Sequence, residues 1–304
     1  MGSPRHFLDV DDLDPEDLEA LLEHATIRRD RPDTVAAAPL TRQSLAMLFE
    51  KPSTRTRVSF ETGMTQLGGH AIFLGPNDTQ LDRGEPLKDT ARALSGYVDA
   101  IMARVFDHEH IRELAQYARV PVINGLSDAA HPCQTIADLL TIADVIGLDE
   151  DVRVAWVGDG NNVAQSFTVG CAMLGIDLTV ATPRGYEIAD DVLDRAAGFG
   201  GAPATTTDPT EAVASADVVY TDVWVSMGQE GTRGTKLAAF DGFQIDESLL
   251  AMADEDAILM HCLPAHRGEE ITDAVLESDQ SVVWQQAENR LHAQKELLTA
   301  LIEH

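Results

Sequence analysis

The stretch with the clearest chemical potential is Glu50–Arg57 (EKPSTRTR), which places three small hydroxyls and two guanidiniums within a few residues. An apolar run of strand length, Ser44–Phe49, precedes it, and Pro52 ends that run. After it, apolar residues recur at helical spacing: Phe60, Met64 and Leu67. The stretch is therefore predicted to be a turn between a buried strand and a helix.

Ser53 is the predicted N-cap of that helix. The first turn of a helix offers unpaired N–H groups and the positive end of the dipole, here beside Thr54, Arg55 and Thr56. Because an arginine fork can hold two phosphate oxygens, the turn suits a phosphate. The alternative is an ordinary capped helix with solvated arginines, and the flanking strand favours the phosphate site. A Walker loop is excluded, since Gly231–Lys236 has the wrong spacing.

Further polar residues follow other predicted strands. Arg104 lies near the end of an apolar strand at 100–105, and His131 and Gln134 follow a strand at 121–124. The carboxyl ends of parallel strands meet at one edge of a sheet, which is where ligands bind. A lone histidine at a helix start is more often structural, yet a His and a Gln three residues apart can both point at one ligand.

Strand and helix patterns alternate along the whole chain, which predicts an α/β fold with two doubly wound parallel sheets. We expect domains at 1–147 and 148–285, joined by interdomain helices, with a C-terminal helix at 286–304 packing back on the first domain. One such helix follows His131 and carries an apolar stripe that ends at Ile146. The predicted strands are 44–49, 70–74, 100–105, 121–124, 154–157, 178–181, 218–221, 258–261 and 282–284.

Net charge and lysine content limit the kinds of partner and the surroundings that suit this protein. The formal charge is −29, and only four of the 22 basic residues are lysine. So acidic a surface disfavours nucleic acid, which needs a basic face to displace counterions. Few lysines and many acids favour adaptation to high salt, although an acidic protein from dilute surroundings has the same composition.

Three scattered cysteines, Cys133, Cys171 and Cys262, include no C-x-x-C pair and favour reduced thiols in a cytoplasm. No signal-peptide core and no apolar run of membrane length occurs. Cys262 follows His261, so a metal site with His131 and Cys133 is possible, as is a nucleophilic thiol. A packed, inert thiol is the simpler interpretation of Cys262.

Gly158-Asp-Gly160 follows the predicted strand at 154–157 and could open a dinucleotide site. The third glycine of that fingerprint is missing, because Val163 occupies its position. A dehydrogenase is therefore the weaker interpretation.

Together, Ser53–Arg57, Arg104 and His131–Gln134 (HPCQ) resemble the carbamoyl-phosphate half of the transcarbamoylase family. The second half resembles the ornithine-specific branch of that family, and the motifs span nearly the whole chain. They are Gly158–Asn162 (GDGNN), Asp222–Gly228 (DVWVSMG), His261–Gly268 (HCLPAHRG) and Ala287–Arg290 (AENR).

The resemblance implies transfer of the carbamoyl group of carbamoyl phosphate to the δ-amine of L-ornithine, giving L-citrulline and phosphate, with no metal or organic cofactor. It implies an enzyme of arginine metabolism and amino-acid biosynthesis that is a homotrimer or a multiple of trimers. Its partners are these two small substrates, without nucleic acid or membrane.

The family also implies roles for individual residues. Catalytic roles fall to Arg104, His131, Asp222 and Cys262, and Arg57 supports the phosphate turn. Carbamoyl phosphate is expected to contact Ser53, Thr54, Arg55, Thr56, Gln80, Arg104, His131, Pro132, Cys133, Gln134, Cys262, Leu263 and Arg290. Gln80, in the loop 75–84, is expected to reach a neighbouring copy's site. Ornithine is expected to contact Asn162, Asp222, Ser226 and Met227.

Other functions remain open beside this one. An aspartate-specific relative would need basic residues for a second carboxylate, and a putrescine or acetylornithine enzyme would alter the loop at 222–228, which here has the ornithine form. A non-catalytic protein that binds a phosphorylated metabolite is the hypothesis from a different class, and a turnover assay separates it.

The composition generates one prediction about stability. If the acid excess reflects a saline cytoplasm, the fold should need roughly molar salt, because self-repulsion destabilises a compact state until the Debye length falls to about 3 Å at 1 M. Thermal unfolding in dilute buffer and in molar salt measures this. An unchanged melting temperature would contradict it.

Overall fold

The computed structural model describes residues 5–32, 35, 38–81, 84–148, 151–226, 228 and 230–303. The chain divides into two compact units. Unit 1 comprises Met1–Leu140 and Asn289–His304, and unit 2 comprises Thr141–Glu288. The predicted domain limits at 147/148 and 285/286 stay a prediction.

Unit 1 is built on a four-stranded parallel sheet with the order β2-β1-β3-β4. Its strands are β1 (Ser44–Phe49), β2 (His70–Leu74), β3 (Ala100–Arg104) and β4 (Val122–Leu126). Its helices are α1 (Pro15–Asp30), α2 (Thr54–Gln66), α3 (Leu87–Leu94), α4 (His108–Tyr117) and the start of α5 (Pro132–Val145). A short 3₁₀ turn, Val10–Asp12, precedes α1.

Unit 2 is built on a five-stranded parallel sheet with the order β7-β6-β5-β8-β9. Its strands are β5 (Arg153–Val157), β6 (Asp177–Ala181), β7 (Ala204–Thr206), β8 (Val218–Thr221) and β9 (Ile258–His261). Its helices are α6 (Asn162–Met173), α7 (Asp190–Gly198), α8 (Pro209–Val213), α9 (Arg233–Ala239), α10 (Glu247–Leu250) and α11 (Asp273–Leu276). The last helix, α12 (Val283–Ile302), begins in unit 2 and continues into unit 1.

Strand register places the polar residues at the carboxyl ends of the sheets. Phe49, the last residue of β1, pairs with Arg104 of β3, so the turn after β1 and Arg104 lie at one edge. In unit 2, Thr221 of β8 pairs with His261 of β9. The residues that follow these two, Asp222 and Cys262, are therefore neighbours although 40 positions separate them.

The C-terminal helix packs on unit 1, as predicted. From Asn289 onward it belongs to that unit, where Lys295 donates to Gln66 Oε1 of α2 at 3.0 Å. Arg28 of α1 pairs with Glu296 at a site where both side chains are nearly buried. Two doubly wound parallel sheets with a returning last helix confirm the predicted fold class.

The predicted strand at 282–284 is wrong. Val283 and Trp284 begin α12. The strand-like pairing next to this segment is an isolated parallel bridge between Ser281 and Leu259. A short apolar run fits a buried strand and a helix start equally well, and the following eighteen residues decide for the helix. The apolar stripe of α5 also ends one residue early, because the helix stops at Val145 and leaves Ile146 partly exposed.

Among the described residues, no helix combines the length and the apolar character that a bilayer span requires.

Candidate active site

The turn after β1 has the predicted helix cap. Ser53 is the N-cap of α2, and its Oγ accepts a hydrogen bond from the Thr56 backbone N–H at 3.3 Å. Thr56 is fully buried, Arg55 is half-buried and Thr54 is exposed. The first turn of α2 thus carries both a buried hydroxyl and surface groups that a ligand can reach.

Arg290 ties three separate segments of unit 1 together. Its Nη2 donates to Thr56 Oγ1 at 2.8 Å, and its Nη1 donates to Gln134 Oε1 at 3.1 Å. Gln134 in turn donates to Asp138 Oδ1 at 2.7 Å. These four side chains are buried, so the fork of Arg290 is fixed between the starts of α2 and α5.

His131 lies at the start of α5 and is held neutral. Its backbone oxygen accepts from the N–H groups of Gln134 and Thr135, while Pro132 is the first helical residue. Burial lowers the pKa of His131 well below its usual value, and the charges of Arg290, Arg104 and Lys51 lower it further. Because the imidazole is uncharged, it adds no repulsion to these three cations.

Lys51 belongs to this cationic group, and sequence reasoning missed it. Its side chain is buried at the end of β1, with the ammonium 5.0 Å from the centre of the Phe106 ring. Burial and then the charge of Arg104 lower the pKa of Lys51 to about 8, against opposing effects of two nearby acids, Asp128 and Glu50. The sequence signal that could have identified it is a lysine, rare in this chain, within the stretch Glu50–Arg57 that is predicted to bind phosphate.

Three further predicted residues of unit 1 each have their own surroundings. Arg57 pairs with Glu61 at 3.0 Å and packs over Phe73 at 3.8 Å, so its guanidinium points along α2 rather than at the turn. Gln80 is exposed in the loop after β2. Cys133 is buried, its sulfur lies 3.3 Å from the Asn124 carbonyl, and burial raises the pKa of the thiol to about 12. Such a thiol is typical of a packed, unreactive cysteine, and the predicted contact of Cys133 with carbamoyl phosphate stays a prediction.

Asp222 is the centre of the polar group in unit 2. Its Oδ1 accepts from the Cys262 thiol at 2.9 Å, and its Oδ2 accepts from Asn161 Nδ2 at 2.8 Å. Asn161 also caps α6, because its Oδ1 accepts from the N–H groups of Val163 and Ala164. Sequence reasoning missed Asn161 and named the adjacent Asn162, although an Asn before an apolar helix is a common cap signal.

The remaining predicted ornithine residues border the same strand ends. Asn162 begins α6 and is half-buried, and Ser226 is half-buried in the loop after β8. Met227 lies outside the described residues. Leu263 is held by its neighbour, because its N–H donates to His261 Nδ1 at 2.9 Å while Leu263 itself has a left-handed φ of 58°.

The metal alternative rests on Asp222, His261 and Cys262, whose ligand-type atoms lie within 4.8 Å of one another. Both ring nitrogens of His261 are already engaged, Nδ1 by the Leu263 N–H and Nε2 by Glu270 Oε1 at 3.1 Å. Among the described residues, His131 and Cys133 take part in no such group. The geometry therefore favours a hydrogen-bonded cluster over a metal centre.

Each sheet thus presents a buried polar cluster at the carboxyl ends of its strands, which is where α/β enzymes bind small ligands. The cluster of unit 1 is cationic and suits an anion. The cluster of unit 2 offers a carboxylate, amides and a thiol, and suits a polar molecule that carries an ammonium group.

Comparisons with known proteins agree with this division. Residues 5–144 match the family model for the carbamoyl-P binding domain of aspartate/ornithine carbamoyltransferase, and residues 150–301 match its Asp/Orn binding domain. An ornithine carbamoyltransferase of Haloquadratum walsbyi is 60% identical over 302 residues, covering 99% of both chains. One from Methanoculleus marisnigri is 53% identical, covering 98% of this chain and 97% of its own.

A solved structure shows the same fold. The ornithine carbamoyltransferase from Pyrococcus furiosus is 51% identical and superposes with a TM-score of 0.93, covering 99% of this chain and 97% of its own. The chain belongs to the aspartate/ornithine carbamoyltransferase family.

Proposed function

We propose that this carbamoyltransferase moves the carbamoyl group of carbamoyl phosphate to the δ-amine of L-ornithine, giving L-citrulline and phosphate. The amine lone pair forms the new C–N bond, and the bond from the carbamoyl carbon to the phosphate oxygen breaks. The departing phosphate keeps the electron pair of that bond and takes up the proton that the amine loses. The observation that supports the proposal is the buried bridge from Arg290 to Thr56 and Gln134, which fixes a guanidinium where three distant segments meet.

Unit 1 supplies the residues for carbamoyl phosphate. Ser53, Thr54, Arg55 and Thr56 bind the phosphate at the N-terminus of α2, where backbone N–H groups and the helix dipole favour it. Arg104 and neutral His131 donate to the carbamoyl oxygen, on which negative charge develops as the amine attacks. Donors fixed toward a developing oxyanion are usually the largest electrostatic contribution in acyl transfer.

Gln134 orients the carbamoyl amide within this arrangement. Its own amide is fixed between Arg290 and Asp138, so its position is set before the ligand arrives. Pro132 and Cys133 shape the wall behind it.

Unit 2 supplies the residues for ornithine. Asp222 binds the α-ammonium, and Asn162, Ser226 and Met227 complete the contacts to the amino-acid end. Cys262 and Leu263 receive the side-chain amine and the carbamoyl group. The hydrogen bond from the Cys262 thiol to Asp222 supports this role, because it fixes a protonated thiol that positions a substrate rather than attacks it.

An enzyme for another amine is the second candidate. N-acetylornithine lacks the α-ammonium that would pair with Asp222, and putrescine lacks the carboxylate. The names of the relatives and the intact loop at 222–228 support ornithine.

We propose three further properties of the protein. It acts as a homotrimer, in which Gln80 completes a neighbouring copy's phosphate site, and light scattering measures the number of chains. It is a cytoplasmic enzyme, which cell fractionation tests. It is adapted to high salt, and the relative from Haloquadratum walsbyi and the charge of −29 support this.

Replacing Arg290 by lysine tests the anion site. Lysine keeps one charge but cannot hold Thr56 and Gln134 with one fork, so the KM for carbamoyl phosphate should rise about tenfold to a hundredfold. Steady-state kinetics with each substrate varied in turn measures it. Arg28→Lys is the matched control, because Arg28 is also a nearly buried arginine of unit 1, but it pairs with Glu296 of α12. An unchanged KM for carbamoyl phosphate in Arg290→Lys would contradict the assignment.

The pH profile tests the protonation states. A free amine like that of lysine has a pKa near 10.4, so presenting it neutral at pH 7 costs about 4.6 kcal/mol. Activity at subsaturating ornithine should therefore rise with pH through the neutral range. His131 adds no loss in that window, because its pKa lies well below 6.5 and the imidazole is already neutral there. A flat profile through the neutral range, below the pKa of about 8 at which Lys51 loses its charge, would contradict the requirement for a neutral amine.

A further inference from the structure

Lys236 makes a buried junction in unit 2 that the proposed chemistry does not use. It lies on α9, and its side chain is only 8% exposed. Its ammonium forms an ion pair with the Asp159 carboxylate and donates to the Trp224 carbonyl oxygen at 2.9 Å. The same ammonium lies 5.5 Å from the centre of the Tyr186 ring. One side chain therefore contacts three segments that are far apart in sequence.

The Asp159 turn is the fixed partner in this junction. Trp156 Nε1 donates to the Asp159 carbonyl at 3.1 Å, and the Gly160 N–H donates to the Tyr186 carbonyl at 2.9 Å. A side chain at Gly160 would lie 2.6 Å from the Glu187 backbone, so the two backbones are in close contact. The turn leads directly into Asn161, which binds Asp222.

The loop after β8 is the second partner. It runs from Asp222 to Ser226, and Trp224 lies in its middle, buried and stacked on Phe240 with ring centres 5.3 Å apart. Phe240 follows α9, so the loop is held to this helix by an aromatic stack and by the hydrogen bond from Lys236. Of these two contacts, the one made by Lys236 also links the loop to the Asp159 turn, because the same ammonium pairs with Asp159.

The charges make this junction strongly dependent on both partners. Burial raises the pKa of Asp159 and nearby Asp222 raises it further, while Lys236 lowers it. Removing the ammonium would leave Asp159 buried beside a second carboxylate, and the carbonyl of Trp224 would lose a charged donor. Breaking one half of a buried pair is far more disruptive than breaking a surface pair.

We infer that Lys236 is a positioning residue for the amino acid acceptor, because it fastens the loop at 222–226 to the Asp159 turn and so fixes both walls of that site. The inference rests on the proposed function, in which Asp222, Ser226 and Asn162 bind ornithine. Lys236 itself touches no substrate in this account. Its effect should appear in acceptor binding and not in carbamoyl phosphate binding.

Kinetics of Lys236→Met and Lys236→Arg test this. Methionine keeps an apolar stem and removes the charge, so the KM for ornithine should rise about tenfold while the KM for carbamoyl phosphate stays within about twofold. Arginine keeps the positive charge beside Asp159, so the KM for ornithine should rise less in Lys236→Arg than in Lys236→Met. Asp159→Asn removes the other half of the pair and should raise the KM for ornithine as well, which keeps the test open if Lys236→Met does not fold.

Arg233→Met is the matched control, since it removes an exposed ion pair with Glu269 from the same helix and should leave both KM values unchanged. Equal rises in both KM values, or a lower melting temperature with unchanged KM values, would overturn the positioning role. The wild type separates the two proposals. Citrulline formation with unchanged KM values in the variants would refute this inference alone, and no citrulline from the wild type would refute the proposed function.

Discussion

The concentration of buried positive charge in unit 1 is the constraint on which the rest of the site depends. Lys51, Arg104 and Arg290 all act on the imidazole of His131, and their effects on one another are repulsive. Such a group is costly to bury without a counterion. Its member Arg290 is fixed by hydrogen bonds to Thr56 of α2 and Gln134 of α5. An anion with several oxygens is the ligand that would relieve this repulsion.

That concentration is notable in a chain with a charge of −29. Of its four lysines, Lys51, Lys236 and Lys295 are buried and only Lys88 is exposed. Exposed lysines are therefore rare. Of the buried lysines, Lys236 and Lys295 have hydrogen-bond partners, and Lys51 lies in the cationic cluster of unit 1. Lysine thus occurs mainly where its charge makes specific interactions inside the fold. Lys51 contributes to the cationic cluster, and Lys236 joins the loop at 222–226 to the Asp159 turn.

Sequence reasoning predicted the two parallel sheets and the capped turn at Ser53, because hydrophobic periodicity and cap residues are local signals. The run at 282–284 failed because a short apolar segment has no period that separates strand from helix start. Asn161 and Lys236 were missed for a different reason. Their roles come from contacts with Asp222 and Asp159, which lie 61 and 77 positions away, and no local pattern records such a pairing.

The central claim is the identity of the acceptor, and a panel of amines tests it most directly. Purified protein in molar salt is given carbamoyl phosphate with ornithine, N-acetylornithine, putrescine or aspartate, and the carbamoylated product is quantified. The account predicts citrulline from ornithine at a kcat/KM at least about a hundredfold above that of any other amine, because among the four only ornithine combines the α-ammonium, the α-carboxylate and the δ-amine. Preference for another amine, or binding of carbamoyl phosphate without transfer to any of the four, would contradict it.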